Sequence, residues 1–170
     1  MQLLTCEVIS DEHMEEVRNF KCSDEISVEN FLKEQALKLQ YMNSAVTRLY
    51  FDESQNLIGY FTLHNDLMEL SNGQRTKHKI DNVVDVRMVP AIKLHYLGVD
   101  ERYRNRGIGE SLLFEALDTA IQVSELSGCN FLTLESFESC VAFYLKYEFK
   151  RLNKSGRLTN MFYNLANLKG

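Results

Sequence analysis

The chain predicts an α/β fold: one domain over residues 1–170, with a mixed, mostly antiparallel central sheet flanked by helices. Three observations predict it. An apolar run at 92–99 is followed by Arg102-Tyr103-Arg104-Asn105-Arg106-Gly107-Ile108-Gly109 and then by an amphipathic run at 111–126. That order reads as strand, glycine loop, helix. Two strand-like runs, 48–51 and 57–63, flank Asp52-Glu53-Ser54-Gln55-Asn56, which is a hairpin signal. The length of 170 residues suits one domain that buries about two-thirds of its unfolded surface.

The elements follow in order. Residues 3–9 alternate and read as a first strand; Ser10 and Asp11 cap a helix over 13–20. Ser27 caps a longer helix to about Gln40, with Phe31, Leu32, Ala36 and Leu39 on one face. After the hairpin, 64–87 is polar and weakly periodic. It reads as a loop, with the third strand free to continue to Leu70, and a loop of that length is a candidate substrate lid. Pro90, the only proline, suits a strand start, and 91–99 is the central strand. The helix from Ile108 sets Leu112, Leu113, Ala116, Leu117, Ala120 and Ile121 on a core stripe and ends near Gly128. A strand at 130–135, a short helix at 138–147 and strands at 149–152 and 161–165 complete the order β-α-α-β-β-β-α-β-α-β-β.

Composition narrows the function classes. No apolar run approaches the length of a membrane span, and the N-terminal residues lack the basic start and apolar core of a signal peptide. Cys6, Cys22, Cys129 and Cys140 are scattered, without metal-ligand spacing, so free thiols in a reducing cytoplasm are expected and no metal. The net charge of −5 is uneven. Residues 1–70 carry five Lys/Arg against thirteen Asp/Glu; residues 71–170 carry fourteen against eleven. The acidic half suits a cationic amine, and the overall balance disfavours a large nucleic-acid partner.

The loop at 102–109 carries the chemistry. A loop opening a helix presents free main-chain N–H groups at the positive end of the helix dipole, and this is a phosphate site in waiting. Gly107 and Gly109 admit close approach, and three arginines in five residues add charge. A Walker loop would need Lys and then Ser or Thr after the second glycine, but Glu110 and Ser111 follow. A dinucleotide fingerprint would need a third glycine where Leu112 stands. Arg104-x-x-Gly107-x-Gly109, after Leu97-Gly98-Val99-Asp100 and before Leu112-Leu113, resembles the acetyl-coenzyme A signature of the GNAT N-acetyltransferases. The resemblance implies that the amides of Asn105, Arg106, Gly107, Ile108 and Gly109, with Arg104, hold the pyrophosphate. It also implies that Leu97 and Val99 pair with the pantetheine arm of acetyl-CoA.

Phe143-Tyr144-Leu145-Lys146-Tyr147-Glu148-Phe149 is similar to the GNAT segment Phe-Tyr-x-x-x-Gly-Phe, which implies that Tyr144 is the general acid for the thiolate. Glu148 stands where the family has Gly, and Cys140 where a small residue is usual. The acceptor amine must lose a proton before it attacks; His95 and Glu135 are candidate bases, and water alone is the alternative. Phe20-Lys21-Cys22, Val28-Glu29-Asn30-Phe31-Leu32, Ile58-Gly59-Tyr60-Phe61-Thr62-Leu63 and Val89-Pro90-Ala91-Ile92-Lys93-Leu94 resemble the toxin-type branch that acetylates aminoacyl-tRNA. The expectation is therefore acetyl transfer from acetyl-CoA to a primary amine. Charged tRNA is an alternative acceptor, and a silent acyl-CoA-binding module is the alternative of another class. The C-terminal strand is free to pair across a homodimer.

Overall fold

A computed structural model describes residues 4–81 and 87–168. The chain divides into two units, residues 1–64 with 95–116, and residues 65–94 with 117–170.

In the first unit, the alternating start of the chain forms β1 (Thr5–Val8), antiparallel to β2 (Val46–Phe51). β2 pairs with β3 (Leu57–Glu69) in antiparallel register, Val46 facing Leu63. The hairpin between them is closed by Asp52. Its carboxylate accepts the N–H groups of Ser54 and Asn56 at 2.9 Å each, the local turn for which Asp is favoured. Helix α1 (Met14–Asn19) follows β1. The single long helix expected to Gln40 is instead α2 (Ile26–Phe31), a π turn (Leu32–Ala36) and α3 (Leu37–Tyr41). The inserted turn keeps Phe31, Leu32 and Ala36 buried, at 2 %, 0 % and 0 % exposure. They join Val17, Phe20, Leu49 and Tyr60 in one core. Phe31 lies flat on Tyr96, centroids 4.1 Å apart.

In the second unit, β4 (Met88–Val99) runs parallel to β5 (Phe131–Phe137), Ala91 facing Phe131. β5 pairs antiparallel with β7 (Leu158–Asn164), and β7 with β6 (Lys150–Ser155). Met68, Leu70, Ile80, Val89, Ala91, Phe131 and Phe162 form its core. Helix α5 (Ile108–Ser127) starts in the first unit and continues into the second from Leu117; it buries Leu112, Leu113, Ala116, Leu117 and Ala120 as the stripe predicts, and leaves Ile121 half-buried. Helix α6 (Glu138–Lys146) links β5 to β6. Over the chain the strand order is β1-β2-β3-β4-β5-β7-β6, a seven-stranded mixed sheet.

Three further expectations change. In the segment at 64–87, the described stretch 64–81 is largely regular: β3 runs on to Glu69, and α4 (Asn72–His78) follows, capped by Ser71, whose hydroxyl accepts the Gln74 N–H while the Gln74 side chain accepts the Ser71 N–H. Its polar composition hid it, because a one-sided helix of seven residues has too few turns to show a period. The part of the lid expectation at 82–86 lies outside the described residues. Pro90 is the third residue of β4 rather than its start, and the pairing with β5 begins only at Ala91, so the missing N–H breaks no bond to β5. The last strand, β7, is bonded on both sides, so it has no edge for a dimer partner; the edge strand is β6. No described helix is long and apolar enough to cross a membrane.

Candidate functional site

In the first unit, β4 ends at Leu97, Gly98 and Val99. Leu97 and Val99 are half-buried and Gly98 is buried. A Cβ on Gly98 would lie 2.5 Å from Val28 Cγ1 and 2.9 Å from Tyr60 Cε1, so only glycine lets the helix layer close on the strand here.

Asp100 then turns the chain. Its side chain is fully buried, and its carboxylate accepts four hydrogen bonds: Lys21 N–H at 2.9 Å, Arg102 N–H at 3.0 Å, and Arg102 Nε and Nη2 at 2.8 Å each. Burial pushes the carboxyl up, but those donors outweigh it and hold the group below the usual carboxylate range. A short 3-10 turn, Glu101–Tyr103, follows.

The segment at 19–24 clamps this turn from outside. Glu101 N–H donates to Lys21 O at 2.9 Å, and the Glu101 carboxylate accepts Ser23 N–H at 2.8 Å and the Ser23 hydroxyl. Arg102 reaches Asn19 O at 3.1 Å. Arg104 pairs with Asp24 and donates to Cys22 Sγ at 3.1 Å.

These contacts correct the charge count drawn from sequence. Arg102 and Arg104 are engaged by carboxylates of their own unit, Asp100 and Asp24. Arg106 has no ion pair among the described residues; its guanidinium lies 5.4 Å from the Tyr103 ring.

The loop itself fits an anion through its backbone. Asn105 and Gly107 both take positive φ, 60° and 77°, which turns the chain sharply before α5. A Cβ at Gly107 would meet nothing within 4 Å, so the glycine answers a backbone need and leaves open space above it. Among the described residues, the N–H groups of Asn105, Arg106, Gly107, Ile108 and Gly109 donate to no protein acceptor; the first bond closing the helix is Ser111 N–H to Gly107 O at 3.1 Å. Orphan donors at the head of a 20-residue helix are what a diphosphate satisfies.

His95, on β4, sits in an aromatic group, 5.1 Å from Phe31, 5.0 Å from His64 and 4.8 Å from Tyr96 between centroids.

Tyr144 and Glu135 belong to the second unit. Tyr144 lies in the last turn of α6, and the end of that helix explains its placement. Phe149 N–H donates to Tyr144 O at 3.2 Å and Glu148 N–H to Leu145 O at 3.2 Å, the bonds of a Schellman stop. The Phe149 ring packs on the Tyr144 ring, centroids 5.6 Å apart, supplying the apolar contact that accompanies that motif. Glu148 takes φ of 67°, so the turn that usually holds glycine survives with glutamate in it. Burial, with Cys140 nearby, pushes the Tyr144 hydroxyl well above its ordinary value, so it carries its proton at neutral pH. Glu135, on β5, is paired with Lys93 Nζ at 3.3 Å. All four cysteines are free, and no described cluster of His, Cys, Asp or Glu has the makings of a metal site.

The residues that sequence reasoning missed are Asp100, Asp24 and Glu101, the carboxylates that hold the loop. Asp100 was visible as the acid ending a strand; the other two partners lie some 80 positions apart in the chain from what they bind.

Comparison with known proteins bears on this loop. The profile of the acetyltransferase (GNAT) domain matches residues 48–151. No curated protein matches the chain. Among solved structures, a tyrosine-to-phenylalanine variant of KacT superposes with a TM-score of 0.83 at 24% identity, covering 99% of this chain and 98% of that one. AtaT complexed with acetyl-methionyl-tRNAfMet gives 0.82 at 20%, covering 98% of each chain. A variant of the AtaT toxin bound to the C-terminus of its antitoxin AtaR and to acetyl-CoA gives 0.79 at 18%, covering 98% and 96%. At these identities the likeness speaks for the fold. The profile match, running from β2 through the amide loop and past α6, places this chain in the GNAT acetyltransferase family.

Proposed function

We propose that residues 1–170 act as one N-acetyltransferase domain that moves acetyl from acetyl-CoA to a primary amine by direct attack. The observation that carries this reading is the run of unsatisfied main-chain N–H groups from Asn105 to Gly109 at the head of α5. They hold the diphosphate of the coenzyme, while the Leu97 and Val99 main chain takes the pantetheine arm as an added strand would. The amine nitrogen forms a bond to the acetyl carbon, and the bond from that carbon to sulfur breaks. The amine gives up its proton, and Tyr144 protonates the departing thiolate. Proton removal falls to His95, to Glu135 or to water. The coenzyme and the free thiols suit a reducing cytoplasm.

Calorimetry with acetyl-CoA and a radiolabelled transfer assay test the reading. Gly107→Asp abolishes coenzyme binding, since it adds a carboxylate and a Cβ at φ 77° where the phosphates lie. Tyr144→Phe lowers turnover by about 100-fold or more and leaves coenzyme affinity unchanged. Full turnover in the Tyr144→Phe enzyme would remove the acid role. Coenzyme binding without thioester consumption over a broad amine panel would favour the silent module instead.

A second reading, acetylation of the amino group of an aminoacyl-tRNA, is supported by the related AtaT, solved with acetyl-methionyl-tRNAfMet. Recovery of acetylated aminoacyl-tRNA, with arrest of translation, separates it from a small-molecule reaction. AtaT is also solved with its antitoxin AtaR, and a partner of that kind belongs to the same reading.

A further inference from the structure

Two histidines of the first unit meet ring to ring. His95 is on β4, two residues before Leu97, and His64 is on β3; their ring centroids lie 5.0 Å apart. Two residues of strand span about 7 Å, so His95 stands just behind the main chain that takes the pantetheine arm. The diphosphate amides lie beyond the other end of that stretch, after Val99. An arm that leaves those amides and lies along Val99 and then Leu97 carries its thioester toward His95.

Three rings pack on His95. Phe31 of α2 meets it edge to face, centroids 5.1 Å apart at 86°; Tyr96 lies at 4.8 Å and 74°, and His64 at 5.0 Å and 65°. Phe31 is buried and stacked on Tyr96, so these two walls are fixed by the core. Packing of that kind sets the orientation of a ring before a substrate arrives. Edge-to-face packing asks only for an aromatic ring, and a phenylalanine at 64 would answer it. What an imidazole adds is a proton that comes and goes near neutral pH, which a phenyl lacks and a phenol keeps. His64 also has an outlet. β2 pairs with β3 only as far as Leu63, so β3 runs past that neighbour from His64 onward, and the His64 side chain is half-buried rather than sealed.

We propose that His95 is the base that deprotonates the acceptor amine, and that His64 is the positioning residue that orients it and passes the proton on to solvent. The inference rests on the acetyltransferase reading and names its base. An N–H bond of the acceptor ammonium breaks, and the proton goes to a ring nitrogen of His95. The freed lone pair forms the bond to the acetyl carbon. The electron pair of the carbon–sulfur bond leaves on sulfur, where the thiolate takes up a proton. His95 gives its proton through His64 to water, so both rings return to the neutral state that the next turnover needs.

The first test needs no turnover. Carbon–proton correlation spectra of the full chain follow the ring C–H signals of the four histidines against pH, assigned with single His→Phe variants. A proton on one imidazole opposes a proton on its neighbour, so His64→Phe raises the His95 titration midpoint by about 0.5 pH unit or more. Added acetyl-CoA shifts the His95 signals of the wild type. The second test uses labelled acetyl-CoA with butylamine and with methionine-charged tRNA. With the acceptor that reacts, His95→Gln lowers kcat about 100-fold and His64→Gln about tenfold, each with coenzyme KM unchanged. His64→Phe keeps the ring contact and loses as much turnover as His64→Gln; full turnover in it would mean that the ring only packs, and would overturn the relay. Where neither acceptor reacts, or a variant does not fold, the wild-type spectra decide. His95 signals indifferent to acetyl-CoA, or a midpoint unmoved in His64→Phe, overturn the proposal while heat from coenzyme binding still supports the acetyltransferase. Absence of that heat with the wild-type chain overturns both.

Discussion

Glu148 takes φ of 67° at the position after α6 where an L-residue pays for its Cβ. The bonds from its own N–H and from Phe149 hold it there, and with it the turn that carries Tyr144. Glu148→Gly relieves that strain. The expected gain is about 1 kcal/mol in the denaturant midpoint, with turnover kept; a loss of stability would mean that the glutamate side chain itself anchors the turn. Tyr144 and the 104–109 loop were legible from residue types and spacing, because a motif is local in the chain. The partners of Arg102 and Arg104 were not. A sequence counts charges, and only coordinates pair them: the count suggested three arginines for an anion, and two are engaged by Asp100 and Asp24.

Among the elements, β4 and α5 were readable because twelve and twenty residues display their periods many times over. Helix α4 was not, with seven mostly polar residues, and its stability comes from the Ser71 cap and from the burial of Ile80 just beyond it. The π turn at Leu32–Ala36 left no sequence mark either; it is the register shift that lets both halves of the helix face one core. The close approach of β4 to that helix rests on Gly98. Gly98→Ala pushes a methyl into Val28 and Tyr60, and the expected cost is about 1–3 kcal/mol by chemical denaturation. A neutral substitution would show that Val28 yields without strain. Because the same strand end leads into the amide loop, a fall in coenzyme affinity accompanies the lost stability.

The whole molecule has a pH range set from both sides. Asp24, Glu29, Asp52, Asp100 and Glu101 all have carboxyl groups held below their ordinary values. Hydrogen bonds lead the causes at Asp24, Glu29 and Glu101; at Asp52 and Asp100 burial opposes and is outweighed. A depressed folded value means that the stabilisation is complete above an unfolded pKa of about 4 and is lost as pH falls through the folded value. On the alkaline side, burial pushes the Cys22 thiol up to about 11, against the pull of Arg104. The unfolded thiol ionises near 8.5 and the folded one does not, so stability falls as pH rises from about 8.5 to 11. Denaturant midpoints measured against pH should therefore decline below about pH 4 and above about pH 8.5. Cys22→Ala should flatten the upper limb while leaving the lower one; an unchanged upper slope would remove Cys22 from that role.

From the chain alone came the α/β class, the order of the long elements, the glycine loop at the head of a helix and the tyrosine before its stop. Each depends on neighbours within a few residues, and such neighbours are visible in a string. The tertiary structure decided which carboxylates grip the loop, that Glu135 is paired with Lys93, that the last strand lies inside the sheet, and that the rings of His64 and His95 meet. Those outcomes depend on which side chains meet across strand pairings and turns tens of residues apart, and charge and hydrogen-bond energies are set by distance in space.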